Sequence, residues 1–72
     1  MNKSEIALLI KKRRKELLIS QQELAELAEV SIRKISDIET ASGETTVGTL
    51  QKLLEVLGMQ MTIGIKGIVH EI

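Results

Sequence analysis

Two helix-start signals constrain this chain more than any other feature. Ser20-Gln21-Gln22-Glu23 has the spacing of a capping box. In such a box the Ser hydroxyl accepts from the backbone N–H three residues on, and the Glu there reaches back to the N–H of the Ser. Ile19 before the cap and Leu24 after it fit a hydrophobic staple. Ser31 offers a second cap, and Ile32–Glu39 continues as a helix with Ile35 and Ile38 one turn apart. Only Glu29-Val30 lies between the two helices. Helices joined by so tight a turn cannot lie antiparallel, so a steep crossing is expected.

The flanking segments extend the pattern. A first helix is expected from Ser4, as N-cap, to Leu17, with Ile6, Leu9, Ile10 and Leu17 on one face. Its second half carries the basic run Lys11–Lys15, which suits the negative end of a helix dipole. The helix after Ser20 turns Leu24, Ala25, Leu27 and Ala28 inward, and its acids Glu23 and Glu26 sit toward its positive end. Thr40–Thr46 reads as a polar loop bending at Gly43. Thr45 or Thr46 then caps a fourth helix to Leu57, with Val47, Leu50, Leu53, Leu54 and Leu57 apolar and Gly58 as its C-terminal cap.

Past Gly58 the period changes. Met59, Met61, Ile63 and Ile65 alternate with Gln60, Thr62, Gly64 and Lys66, which predicts a half-buried strand. Ile68, Val69 and Ile72 continue as an apolar tail, with His70 among them as an exposed residue. A lone strand leaves its ladder groups unpaired. It needs either a hairpin return through Gly67 or the same strand of a second copy. The sequence thus divides into a helical domain over 1–58 and a dimerisation strand and tail over 59–72.

Composition excludes several classes. A chain of 72 residues allows one domain. It has no Cys, so it has neither a disulfide framework nor a Cys-rich zinc site. His70 alone cannot build a metal site, and Met59 and Met61 read as strand core. No metal and no cofactor are expected. No apolar run reaches the ~18 residues of a membrane span. The basic block follows the first short apolar run, which is not the order of a signal peptide. A cytoplasmic protein with no membrane partner is the expectation. An enzyme is disfavoured, because no nucleophile–base pair, carboxylate dyad or phosphate loop is present. A pocket of ~300–1,000 Å³ is also hard to enclose in so short a chain. Aromatic residues are absent, and a core this small supplies only ~3–5 kcal/mol of net stability. A second copy would add burial.

The formal net charge is zero, but the charges are zoned. Residues 1–20 carry +4, residues 21–30 carry −3, residues 31–40 balance, and residues 41–72 carry −1. Neutrality therefore does not exclude a nucleic-acid partner.

The residues together resemble the XRE, or Cro/repressor-type, helix-turn-helix family. The match lies in Arg14, S-Q-Q-E-L-A at 20–25, Val30-Ser31, Ile35, Ile38-Glu39 and T-L-x-x-L-L-x-x-L at 49–57. The resemblance covers residues 6–58. It implies an all-α, lambda-repressor-like bundle of about four helices, a double-stranded DNA partner and transcriptional repression. Residues 44–63 further resemble the end of HipB-type antitoxins. That subgroup pairs a C-terminal strand across a homodimer, represses its own operon and binds a HipA-type kinase toxin. On this reading Met59, Met61, Thr62, Ile63 and Ile65 serve dimerisation, and the DNA is a palindromic operator. Two departures stand out. Glu29 occupies the turn position where the family usually has a Gly at positive φ, and Leu18 stands where it often has another.

The third helix would enter the major groove. Its outward residues are Ser31, Ile32, Arg33, Lys34, Ser36 and Asp37. Arg33 can take a guanine through O6 and N7, and Ile32 can press on a thymine methyl. Asp37 either accepts from a cytosine amine or orients Arg33 one turn away. Lys34, Thr40, Ser42 and Gly43 suit the phosphate backbone. The second helix offers its N-terminal N–H groups to a phosphate, and the resemblance gives Gln21 a backbone grip there. The resemblance also pairs Arg14 with Glu39 as a structural ion pair. The Lys11–Lys15 run reads mainly as a solvated face. A second reading stays open: a protein-interaction adaptor with this fold and no DNA, favoured by the zero net charge and the acidic second helix.

Overall fold

The computed structural model describes residues 2–65 and 68–71, with side chains described over residues 2–62. Four helices come first: α1 Lys3–Glu16, α2 Gln21–Ala28, α3 Ile32–Glu39 and α4 Val47–Val56. Two short strands follow, β1 Thr62–Ile65 and β2 Ile68–Glu71. They pair antiparallel within the chain, Thr62 opposite Glu71 and Ile65 opposite Ile68. The strand therefore starts three residues later than the alternation at Met59 implies. Met59 and Met61 lie before it and pack against the helical core. The return at Gly67, the side chains of Ile63 and Ile65, and His70 as an exposed tail residue lie outside what is described.

Each helix begins on a side-chain cap. Ser20 accepts from the Glu23 N–H at 3.0 Å while Glu23 accepts from the Ser20 N–H at 2.9 Å, a complete capping box. Ser31 accepts from Lys34 N–H, and Thr46 from Thr49 N–H, both at 3.1 Å. The first helix departs from expectation. Its cap is Asn2, whose Oδ1 accepts from Glu5 N–H at 2.9 Å, so Ser4 lies inside the helix. Asn and Ser cap equally well, and the choice falls to the residue that makes the helix longer.

All four helices end alike. The residues Leu18, Glu29, Ala41 and Gly58 have φ of 59°, 57°, 57° and 68°. Each donates its N–H three residues back, to Lys15, Glu26, Ile38 and Glu55 in turn. The next N–H donates five residues back: Ile19 to Arg14, Val30 to Ala25, Ser42 to Asp37 and Met59 to Leu54. This is the Schellman motif, which satisfies the last carbonyls of a helix. It also explains three apolar residues in the turns. Ile19, Val30 and Met59 each follow the left-handed residue and pack back on the core.

The core draws on every helix. Ile10, Leu24, Ile35, Leu53 and Leu57 are the largest fully buried side chains, with Ala25, Ala28, Ile38, Leu50 and Leu54 around them. Two expected faces are corrected. On α1 the buried positions are Ala7, Ile10 and Arg14, while Leu9 is 41% exposed and Leu17 is exposed too. Ile10 is buried and Ile6 packs against the core as expected, but a charged residue holds a place in the buried stripe, so the apolar pattern alone extends the face to Leu9 and Leu17 instead of Ala7 and Arg14. On α2, Leu27 is 61% exposed, and Val47 at the start of α4 is also exposed. Arg13 ties α1 to α4: its Nε donates to the Leu57 carbonyl at 2.8 Å. A cation there suits the negative end of α4.

Three of the four helix ends place a side chain at positive φ, where an L-residue is strained by ~1–2 kcal/mol and Gly is not. Part of that gain is offset by the greater unfolded-state entropy of Gly. Glu29→Gly and Leu18→Gly are each expected to stabilise the fold by about 0.5–1 kcal/mol, read as a rise of a few degrees in Tm. An unchanged or lower Tm in both variants would show that these turns carry no such strain.

Candidate nucleic-acid interface

The interface is assembled around a buried carboxylate. Glu39, the last residue of α3, has 1% of its side chain exposed. Arg14 from α1 meets it in a two-pronged pair, Nε to Oε2 at 2.7 Å and Nη2 to Oε1 at 3.0 Å. The third guanidinium nitrogen, Nη1, donates to the Ile19 carbonyl at 2.9 Å, just before α2. Gln21 from the first turn of α2 adds Nε2 to Glu39 Oε1 at 3.2 Å. Three helices are therefore fixed to one carboxylate. Burial works to raise the Glu39 carboxyl. The hydrogen bonds from Arg14 and then Gln21, with the charges of Arg14 and Lys11, outweigh it and hold it below the usual carboxylate range. Its hydrogen bonds to Glu39 raise the Arg14 guanidinium above its ordinary value, burial working against the rise.

This cluster sets the start of α2 beside α3. The capping box occupies the N–H of Glu23, and the first-turn N–H groups of Gln21 and Gln22 have no intrahelical acceptor. They form the kind of terminus that takes a phosphate. Gln21 keeps one amide hydrogen beyond the one given to Glu39. Gln21, expected only to grip DNA, thus braces the cluster.

The front half of α3 is open. Ser31, Ile32 and Arg33 are exposed, Ile32 at 49%. Lys34, Ser36 and Asp37 are half-buried. Among the described residues no ion pair joins Arg33 to Asp37, so the orienting role open to Asp37 in the sequence is not taken up. Arg33 has its fork of donors available. Ser31 is engaged as the α3 cap. Lys34 crosses to the loop, where Nζ donates to the Glu44 carbonyl at 3.0 Å.

The loop behind α3 is tied back at several points. Thr40 Oγ1 donates to the Ser36 carbonyl at 2.8 Å, and the hydroxyls of Thr40 and Ser42 lie 3.0 Å apart. Ser42 N–H donates to the Asp37 carbonyl at 2.7 Å. Gly43 has φ of 66° and forms the bend, and Lys3 Nζ donates to its carbonyl. Neither lysine tie has a signal in the sequence. Lys3 is 40 residues from Gly43 and Lys34 is ten from Glu44, beyond the reach of any local pattern. Ser42 and Gly43 are exposed, as is Thr40.

An exposed helix held rigidly against the N-terminus of a second, across a three-residue turn, is the arrangement of a DNA-binding regulator of the helix-turn-helix class. Similarity to known proteins agrees. A family model described as Helix-turn-helix matches residues 10–63, and the chain belongs to that family. A solved structure of a tyrosine-to-phenylalanine mutant of the restriction-modification controller protein C.Esp1396I is similar at 30% identity and a TM-score of 0.73. The match covers 78% of this chain and 71% of that one. Two structures of HppE, one apo and one with FeII and substrate, match at TM-scores of 0.74 and 0.72 and 21% identity. This chain spans 45% and 46% of those proteins, and the likeness is one of fold alone. No curated protein matches the chain.

Removing one member of a buried ion pair costs ~3–5 kcal/mol, because the other charge stays buried alone. That is as large as the net stability of so small a domain. Arg14→Ala is expected to unfold the protein at 25 °C by circular dichroism, while Arg14→Met combined with Glu39→Leu recovers most of the helical signal. The pair also sets an acid limit. Glu39 has a depressed folded-state pKa, so its contribution is complete above the unfolded value of ~4.3 and is lost as pH falls through the lower folded value. Urea midpoints should fall below about pH 4.3, and the Arg14→Met/Glu39→Leu double variant should flatten that fall. A double-variant profile as steep as the wild type would refute the assignment.

Proposed function

We propose that the protein is a homodimeric, sequence-specific repressor of a palindromic operator. The observation that carries this is the open front half of α3 locked beside the start of α2 by the Arg14–Glu39–Gln21 cluster. In this reading Arg33 takes a guanine and Ile32 meets a thymine methyl. Asp37, near the reading face, accepts from a cytosine. Gln21, Ser31, Lys34, Ser36, Thr40, Ser42 and Gly43 hold the backbone and fix register, as phosphate contacts do.

Residues 1–58 read DNA and residues 59–72 complete the dimer, through Met59, Met61, Thr62, Ile63 and Ile65. Two features support a second copy. One is the small core. The other is an apolar groove of about 430 Å³ lined by Ile6, Leu9, Leu54, Met59 and Met61 among others. In the hairpin, one edge of β1 faces β2, and the other edge is available to the same strand of a partner. A dimer of this kind reads two half-sites about 34 Å apart. The likeness of residues 44–63 to HipB-type antitoxins supports a narrower role, autoregulation with a HipA-type kinase toxin as partner. Such a protein acts in the cytoplasm. No described helix is long and apolar enough to cross a membrane.

Footprinting on the DNA upstream of its own gene tests the reading. A protected palindrome is the expected result. Arg33→Ala should cost ~1–3 kcal/mol on that site and relax specificity at one base pair. Asp37→Asn should tighten binding to unrelated duplex at low salt. A blank footprint with no salt-dependent binding would give the case to the adaptor reading. The kinase partner is tested by co-purification with the product of a neighbouring kinase-like gene, and a product that does not bind removes the antitoxin role.

A further inference from the structure

The zoned charge of the chain comes to lie on two separate surfaces, each built around an exposed leucine. On the outer side of α1, Leu8 is 68% exposed and stands among Lys11, Lys12 and Lys15, with Glu16 beside them. Glu16 is answered within the chain by Arg13, so the lysines set the sign. Where α2 meets α4, Leu27 is 61% exposed at a shallow hollow of about 340 Å³ that it lines with Val56, Glu29, Glu55 and Lys52. Glu23, one turn before Leu27, and Glu26 are exposed on the same helix. The first surface is basic and the second acidic. Among the described residues Lys11, Lys12, Lys15, Glu29 and Glu55 are in no ion pair. Neither surface shares a residue with the apolar groove of Ile6, Leu9, Met59 and Met61 or with the open front half of α3.

Single exposed leucines are ordinary on a protein surface. These two differ because each carries a rim of charge and the rims are opposite in sign. We propose that the outer face of α1 docks into the α2–α4 hollow of a second copy of this chain. Leu8 enters beside Leu27 and Val56, while Lys12 and Lys15 meet Glu29 and Glu55 of the second copy. A formal net charge of zero favours the contact, since no overall repulsion holds the copies apart. Two different surfaces meet, so the contact is heterologous. Each docked pair keeps one free surface of each sign, and copies add in a row or close into a ring. Exposed ion pairs contribute little each and are screened by salt. The contact is therefore weak and salt-sensitive, unlike an apolar dimer through the groove. It involves no DNA and does not rest on the DNA-binding reading.

Analytical ultracentrifugation of the full chain over a concentration series tests this. The runs are made at about 0.01 M salt, where charges act over ~30 Å, and at about 1 M, where they act over ~3 Å. At low salt the mean mass should climb with concentration past that of a dimer. At high salt the association constant should drop by roughly tenfold or more. Lys12→Glu with Lys15→Glu makes both surfaces acidic, and Glu29→Lys with Glu55→Lys makes both basic. Neither variant alone should grow at low salt. Mixed in equal amounts, the two should grow as the wild type does, because each carries the complement of the other. Leu8→Gln, at an exposed position, should weaken growth with no loss in Tm. A wild-type mass that stays constant with concentration at low salt overturns the contact and leaves the two surfaces to other molecules. Growth retained by either charge-reversed variant alone overturns it too. So does a mixture of the two variants, both folded by circular dichroism, that stays apart, or Leu8→Gln that grows like the wild type.

Discussion

A carboxylate buried as deeply as that of Glu39 stays charged only if its surroundings answer it. Here the answer comes from two other helices. Arg14 reaches from α1 and Gln21 from α2, and the Arg14 guanidinium also holds the chain at Ile19. The spatial relation of α2 to α3 is thus fixed at the end of α3 by charge and at their faces by Leu24, Ala25, Ala28 and Ile35. A buried pair of this kind adds little net stability against an apolar replacement. What it does here is directional. Apolar packing tolerates a few degrees of rotation, whereas a two-pronged guanidinium–carboxylate pair does not. Under the proposed function α3 presents Ile32 and Arg33 at one angle, and such a helix gains from the second kind of restraint.

The helix ends show what is legible in the sequence. Ser20, Ser31 and Thr46 are readable because a cap and its donor lie three residues apart. Gly43 and Gly58 are readable because Gly marks positive φ. The same geometry at Ala41 is not, since Ala carries no such mark. At Leu18 and Glu29 only the family resemblance points to it. The apolar residues after the left-handed positions, Ile19, Val30 and Met59, are the available signal, and they are a signature of the motif when taken with the helix before them. On α1 the pattern misleads because Arg14 occupies a buried position that hydrophobic periodicity leaves blank. The Lys3 and Lys34 ties are illegible in principle, since they depend on how the loop after α3 folds back.

Charge shows the same division between sequence and space. The +4 of the first twenty residues is a single basic zone in the sequence. In the fold, Arg13 closes a helix end, Arg14 neutralises a carboxylate and Lys3 holds a loop. Less of that charge is left for a polyanion than the count implies. Asp37 beside the reading face and Glu29 in the turn lower it further. Non-specific attraction to DNA scales with the phosphates neutralised, so in the proposed role a surface like this one would rely more on base contacts for its affinity.

The core composition bears on the proposed dimer. With no aromatic side chain, burial rests on Leu, Ile and Ala, and each of these removes less area from water than an aromatic ring. The groove between α1 and the segment after α4 leaves Leu9, Met59 and Met61 only partly covered. Met is unbranched and adapts its shape to what it meets, which suits a surface that completes its packing on association. Strain at Leu18, Glu29 and Ala41 draws on the same small reserve of stability. A domain built this way gains stability from a partner that covers the groove, so the proposed dimerisation would be coupled to folding through that apolar surface, while α3 is held by a separate, polar one.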